Sequence, residues 1–411
     1  MAEIRQKSEL SELLHLFLDI AEAIHRAGGE IFRVEDTVAR LGAAYGAVRT
    51  DVFVITSQIE VTMVFPGDIE LTRSRRIRGG GTDLCALEAL NALSRRLCAT
   101  PLPPAEVRCE LEKTKKAGSR LPLYLGSALA AGSFAVFFGG RVVDGVVAAL
   151  FGLLIRFLQE KLPPLLPNLV AVHFLAALIT GGGVCALSLL FPALLPDKVM
   201  IGDIMLLIPG IALTTAIRNI LVGDTMSGIL KMTESVVHAA ALAGGFMIAM
   251  QMLPADAVRE MPDPLAAAQL LTGALGSLGF AMIFRLRAKY LPLAVLGGLL
   301  NWGSYLLLFS LTDRLFLSCL FAAVVASLYA EVLARVLRAP TTLFIVPAVI
   351  PSIPGSCLYY TMQAAVGGDF ALVGENGILT LLWAFGIAGG ISLVVVIFAM
   401  ARALHTVKKA D

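Results

Sequence analysis

Glu234 and His238 stand four residues apart inside an apolar run, a spacing that puts them on one face of a helix. An imidazole titrates near neutrality and a neighbouring carboxylate tunes it, so the pair is a candidate proton relay. Ionisable side chains are costly inside a bilayer, which makes each one a functional candidate. Glu234 fits a solvated helix-end residue equally well. Asp203 precedes Pro209-Gly210, and Asp224 follows it with Thr225 and Ser227 close behind. These carboxylates could orient a substrate amine, while a helix N-terminus exposed at Pro209-Gly210 or Pro354-Gly355 could take the substrate's carboxylate. Asp224 and Asp369 each follow a glycine, which also suits a turn or N-cap residue. The candidate substrate-binding set is Asp203, Pro209, Gly210, Thr214, Thr215, Asn219, Asp224, Pro354, Gly355 and Tyr359, with Glu234 and His238 for proton coupling. His173, Asn301 and Tyr360 are secondary candidates, and Asp144 is expected at an outer helix end.

The elements that must position these residues are membrane helices. The chain of 411 residues is 57% hydrophobic and 16% charged, against about a quarter charged in a soluble domain. About half of the charged residues fall before residue 121, so the chain reads as two bodies in different solvents. Apolar runs of about 17 to 25 residues are what a bilayer asks of a helix. Ten are expected, over 122–140, 142–158, 168–191, 199–217, 229–252, 264–284, 291–311, 315–334, 342–366 and 378–401. Pro163, Pro164, Pro167, Pro192, Pro196, Pro254, Pro262 and Pro264 mark turns between them.

Short loops rich in Lys and Arg stay on the cytoplasmic side. With the N-terminus inside, Arg156, Lys161, Arg218, Lys231, Arg285, Arg287, Lys289, Arg335, Arg338, Arg402, Lys408 and Lys409 fall inside. Arg141, Lys198, Arg259 and Arg314 fall outside, and Lys113, Lys115, Lys116 and Arg120 precede the first span. Twelve against four places both termini in the cytoplasm.

Three motifs recur at one spacing. Ile208-Pro209-Gly210 returns as Ile353-Pro354-Gly355, Gly223-Asp224 as Gly368-Asp369, and Ala243-Gly244-Gly245 as Ala388-Gly389-Gly390, each 145 residues on (353−208, 368−223, 388−243). Two halves of five helices imply an inverted repeat, because an odd number of crossings reverses the second copy. Such repeats underlie alternating access, with substrate sites at broken helices. Proline inside each apolar run removes a backbone donor, which suits either a site or a packing kink. The expected fold class is a multi-pass α-helical membrane protein, a 5+5 inverted repeat over 121–260 and 261–411, with a cytoplasmic α+β domain over 1–120.

In that domain, helices are expected over 12–27, 33–45 and 83–97, with strands at Asp51–Thr56 and Ile59–Phe65. The stretch Thr72–Gly81, with Arg73, Arg75, Arg76 and Arg78, fits an anion or lipid headgroup site or a solvated basic loop. The net charge of +2 gives no reason to expect a nucleic-acid partner. The six cysteines have no metal-ligand spacing, and no hydrolase, zincin or Walker signature is present. Neither a cofactor, a metal nor an enzymatic activity is therefore expected. An intramembrane enzyme, a channel or a receptor remain as rival classes, and the oligomeric state stays open.

With these residues in view, the chain resembles the threonine/serine exporter family over nearly its whole length. The resemblance is carried by Ala27-Gly28-Gly29, by Arg33-Val34-Glu35-Asp36, by Arg73–Leu84 and above all by Gly202–Leu230. Thr215 and Asn219 stand where members often carry Asn and Asp. The last helices are similar to a second part that some members carry as a separate subunit; here the two are fused. The resemblance implies proton-driven export of threonine and serine, as partners of a protein in a bacterial cytoplasmic membrane. Related two-subunit systems imply the alternative of a dicarboxylate such as succinate.

Overall fold

The computed structural model describes residues 2–114, 118–166, 168–251 and 264–410. Lys115, Lys116, Pro167, Pro254, Arg259 and Pro262 lie outside the described residues. The contacts divide the chain into a unit of Met1–Ser119 with Phe284–Arg287, and a second of Arg120–Ile283 with Ala288–Asp411.

The first unit runs α1 (Ala2–Arg26), α2 (Ile31–Ala44), β1 (Arg49–Ile55), β2 (Gln58–Phe65), β3 (Ile69–Arg76), α3 (Leu84–Ala99) and α4 (Pro104–Thr114). Its strands form an antiparallel meander in chain order. Alternation along β2 buries Ile59, Val61, Met63 and Phe65, the period-two pattern of a half-covered sheet. Phe17, Ile20, Val34, Val38 and Leu41 from α1 and α2 join that core. The third strand departs from the sequence expectation, which left a basic loop there. Gly67 and Asp68, both at positive φ, close a tight turn that brings Arg73 opposite Val61. Arg75 is consequently held by Asp19 and by Glu22, the latter at 3.3 Å, and Arg73 donates to Ser11 at 3.3 Å. Those two guanidinium groups are engaged within the unit. Also inside it, Arg285 and Arg287 pair with Asp83 and Glu88 at 3.2 and 3.1 Å, while Asp83 caps α3 by accepting from Ala86 N–H.

The second unit contains α5 (Leu121–Phe137), α6 (Val142–Lys161), α7 (Leu169–Leu190), α8 (Pro196–Ile204), α9 (Gly210–Val222) and α10 (Thr225–Met250). It continues with α11 (Ala266–Ile283), α12 (Leu291–Thr312), α13 (Leu315–Val336), α14 (Thr342–Val349), α15 (Gly355–Gly367) and α16 (Phe370–Ala410). Among the described residues, seven helices are long and apolar enough to cross a membrane: α6, α7, α10, α11, α12, α13 and α16. The bent pair α14 and α15, meeting at 48°, adds an eighth. The expected first span is the shorter α5, and the expected fourth is split into α8 and α9 around Met205–Pro209. Proline at 209 cannot supply the amide a continuous helix needs there.

The 145-residue spacing extends from motifs to elements. Both α9 and α15 have 13 residues, start after Pro209 or Pro354 and end on left-handed Gly223 or Gly368, at φ 99° and 73°. Asp224 then caps α10 through Ser227 N–H, and Asp369 caps α16 through Ala371 and Leu372 N–H. On α10, Gly245 sits against Ala177 and the Phe174 carbonyl of α7; on α16, Gly390 sits against Ala323 and the Leu320 carbonyl of α13. A β-carbon at either glycine would stand under 3 Å from the facing alanine, so each helix pair crosses at backbone contact distance.

Candidate functional site

The two interrupted helices meet. A side chain at Gly210 would collide with Ile353, and one at Gly355 would collide with the Met205 sulfur. Between the breaks lies a cavity of about 60 Å³ lined by Ile208, Pro209, Gly210, Leu213, Ser235, Val236, Ala239, Ile353, Pro354, Leu358 and Thr380. Eight of these form pairs at the 145-residue spacing: Ile208 with Ile353, Pro209 with Pro354, Leu213 with Leu358 and Ser235 with Thr380. Leu213 N–H bonds the Pro209 carbonyl and Leu358 N–H the Pro354 carbonyl, so both α9 and α15 begin at the cavity. Helix N-termini carry unpaired N–H groups and a partial positive charge.

The polar groups of the cavity are Ser235 on α10 and Thr380 on α16. Each hydroxyl donates to the carbonyl four residues earlier, at 2.8 Å in both cases, and keeps acceptor capacity for a ligand. Sequence reading missed both residues. The signal was the constant spacing itself, carried past the glycine motifs onto the facing helices.

Of the expected substrate set, Pro209, Gly210 and Pro354 line the cavity, and Gly355 adjoins it against Met205. Thr214 and Thr215 donate back to Gly210 and Ile211 carbonyls at 3.0 and 2.7 Å. Asn219 keeps a buried amide nitrogen without a hydrogen bond. Asp224 serves as the N-cap of α10. Tyr359 is buried in the core with Val199, Met200 and Ile204, its hydroxyl 3.9 Å from the Met250 sulfur. Asp203, in the last turn of α8, is completely buried and neither carboxylate oxygen has a hydrogen-bond partner.

Glu234 and His238 share α10 but do not meet among the described contacts. Glu234 is exposed, and the ring of His238 packs edge-on against His173 of α7 at 4.8 Å. The second break is tied to α12 by Ser352, which donates to the buried Asn301. The first break is tied to α6 by Gln159, which donates to the Leu206 carbonyl at 3.5 Å.

Two charged residues are buried. Asp144 is at the helix end predicted for it but fully buried, accepting from Arg141 N–H at 2.8 Å and Leu195 N–H at 3.0 Å. Lys198, expected in an outer loop, lies inside α8 and is only 9% exposed. Pro196 starts that helix immediately, which carries Asp197 and Lys198 into its first turn.

These features define a multi-pass helical membrane protein whose interrupted helices share a cavity. A family model described as threonine/serine exporter matches residues 15–253, and a second, described as Threonine/Serine exporter, ThrE, matches residues 269–397. The first alone spans more than half of the chain. The chain belongs to the threonine/serine exporter family, with both parts in one polypeptide, and is a membrane exporter of amino acids. No curated protein and no solved structure matches it.

Proposed function

We propose that this chain exports threonine and serine by alternating access between its two broken helices. The observation that carries the reading is the cavity lined by pairs of residues at one fixed spacing, Ser235 with Thr380 among them. A site shared equally by two halves is where inverted-repeat carriers hold their substrate. The architecture in this reading is a 5+5 inverted repeat, α5 to α10 and α11 to α16, in a bacterial cytoplasmic membrane with both termini in the cytoplasm.

The cavity is small, about 60 Å³. In this reading the breaks part to admit an amino acid. Opening toward the cytoplasm loads the substrate, and opening on the far side releases it. The α9 and α15 N-termini, with Thr214 behind them, are placed to meet a substrate carboxylate. Protons drive the cycle through Glu234 and His238. His173 stands beside the latter ring, and two imidazolium charges that close would repel.

Efflux of preloaded threonine, serine and succinate from proteoliposomes, with and without a pH gradient, tests the reading. Gradient-dependent efflux of threonine or serine supports it. Movement of succinate alone keeps the carrier and overturns the substrate. A Glu234→Gln or His238→Gln protein whose transport keeps the wild-type pH dependence removes that residue from the coupling.

A further inference from the structure

Helix α8 runs antiparallel to the start of α15, with Met205 beside Gly355 at one end of the seam and Lys198 beside Tyr360 at the other. The far end of this seam carries charge. Lys198 Nζ lies 3.2 Å from Asp197 Oδ2 and 3.2 Å from the Tyr360 hydroxyl. Among the described residues, Lys198 is the only lysine or arginine buried to less than a tenth exposure as a residue. Burying an ion pair is a poor way to gain stability, since desolvation offsets the attraction. Here the pair is also incomplete. Asp197 is 3% exposed, and its Oδ1 is buried with no hydrogen-bond partner. An ammonium has three N–H donors, and the contacts of Lys198 use two of them.

An α-amino acid carries the complementary arrangement, a carboxylate and an ammonium on one carbon. We propose that Asp197, Lys198 and Tyr360 form a head-group site for the exported amino acid, a second station beyond the breaks. Lys198 and the Tyr360 hydroxyl take the substrate carboxylate, and Asp197 Oδ1 accepts from the substrate ammonium. Met205, the C-cap of α8, stands seven positions after Lys198, about 10 Å at ~1.5 Å per residue, so the two stations are successive positions along one seam. Lys198 and Asp197 belong to the first half of the chain and Tyr360 to the second. A ligand held by all three therefore senses how the halves are placed. The assignment rests on the amino-acid export reading and goes beyond it by naming the charged groups.

The test is binding of threonine, threoninamide, which lacks the carboxylate, and 3-hydroxybutyrate, which lacks the ammonium, to the purified full chain by calorimetry. The wild type is expected to prefer threonine over both analogues by about tenfold or more, the weight of a charge-assisted hydrogen bond. Lys198→Met should no longer separate threonine from threoninamide, and Asp197→Asn should no longer separate it from 3-hydroxybutyrate. Tyr360→Phe leaves the charged pair in place and should reduce the discrimination against threoninamide several-fold. Should the single charge variants not fold, the Tyr360→Phe protein decides the matter. Folded variants that keep both discriminations overturn the assignment while leaving export intact. A wild type that does not bind threonine overturns the export reading and this site with it.

Discussion

Gly210, the first residue of α9, lies against the side chain of Ile353, which sits two residues before the first residue of α15. The break in one half is thus packed on the break in the other. Alanine at 210 would place a methyl group inside the Ile353 side chain, and overpacking of this kind costs about 1–3 kcal/mol. The Gly210→Ala protein is expected to show threonine counterflow slower by about tenfold, each factor of ten being about 1.4 kcal/mol. Adding Ile353→Ala should restore most of the rate, because the contact is between these two residues. Equal rates in the single and double variants would separate the defect from this contact.

Sidedness can be read from Cys109. It is exposed on α4, whereas Cys185 and Cys319 are buried. In a variant that keeps Cys109 as its one accessible thiol, a membrane-impermeant maleimide should label inside-out vesicles and spare right-side-out ones. The reverse pattern would invert the proposed topology.

Asp144 holds two segments together. Its carboxylate accepts from Arg141 N–H and Arg141 guanidinium at the start of α6, and from Leu195 N–H just before α8. Asp144→Ala strands the buried Leu195 N–H and takes the acceptor from the half-buried Arg141 N–H, and should destabilise the protein by about 2 kcal/mol. Asp144→Asn keeps one acceptor and should cost less. Thermal unfolding in detergent orders the three proteins.

Stability of the first unit should carry a small acid-sensitive component at Glu110. The Lys113 ammonium, 2.6 Å away, holds its carboxyl below the ordinary 4.5 against an opposing effect of burial, and the Arg96 guanidinium adds to the lowering. A depressed carboxyl stabilises above its unfolded value, and that gain is lost as pH falls through the folded one. Glu110→Gln should therefore melt slightly lower than wild type at pH 7. The difference should close as pH drops below about 4.5, and it should shrink in high salt because these groups face solvent. A gap that persists at pH 3 would trace it to packing instead.

Much of this protein is written along the chain. The apolar runs, the prolines within two of them and the left-handed glycines after α9 and α15 act through neighbouring residues, so spacing alone located both breaks and most helix boundaries. The third strand escaped because β3 is a charged edge, Ile69–Arg76, with Leu71 its one buried residue, and an exposed edge strand leaves little apolar alternation to read.

What the sequence by itself determined is therefore local: which segments are helical, where they are interrupted, and that the interruptions fall 145 residues apart (354−209). Only the tertiary structure decided that the breaks face each other, that Ser235 and Thr380 complete the cavity, that His238 has His173 rather than Glu234 beside it, and that Lys198 is buried against Tyr360. Each of these is a distance between residues on different helices. Helix periodicity fixes the face a residue occupies, while the partner of that face is set by how close-packed helices fit together, and small residues such as Gly245 and Gly390 decide which pairs can approach.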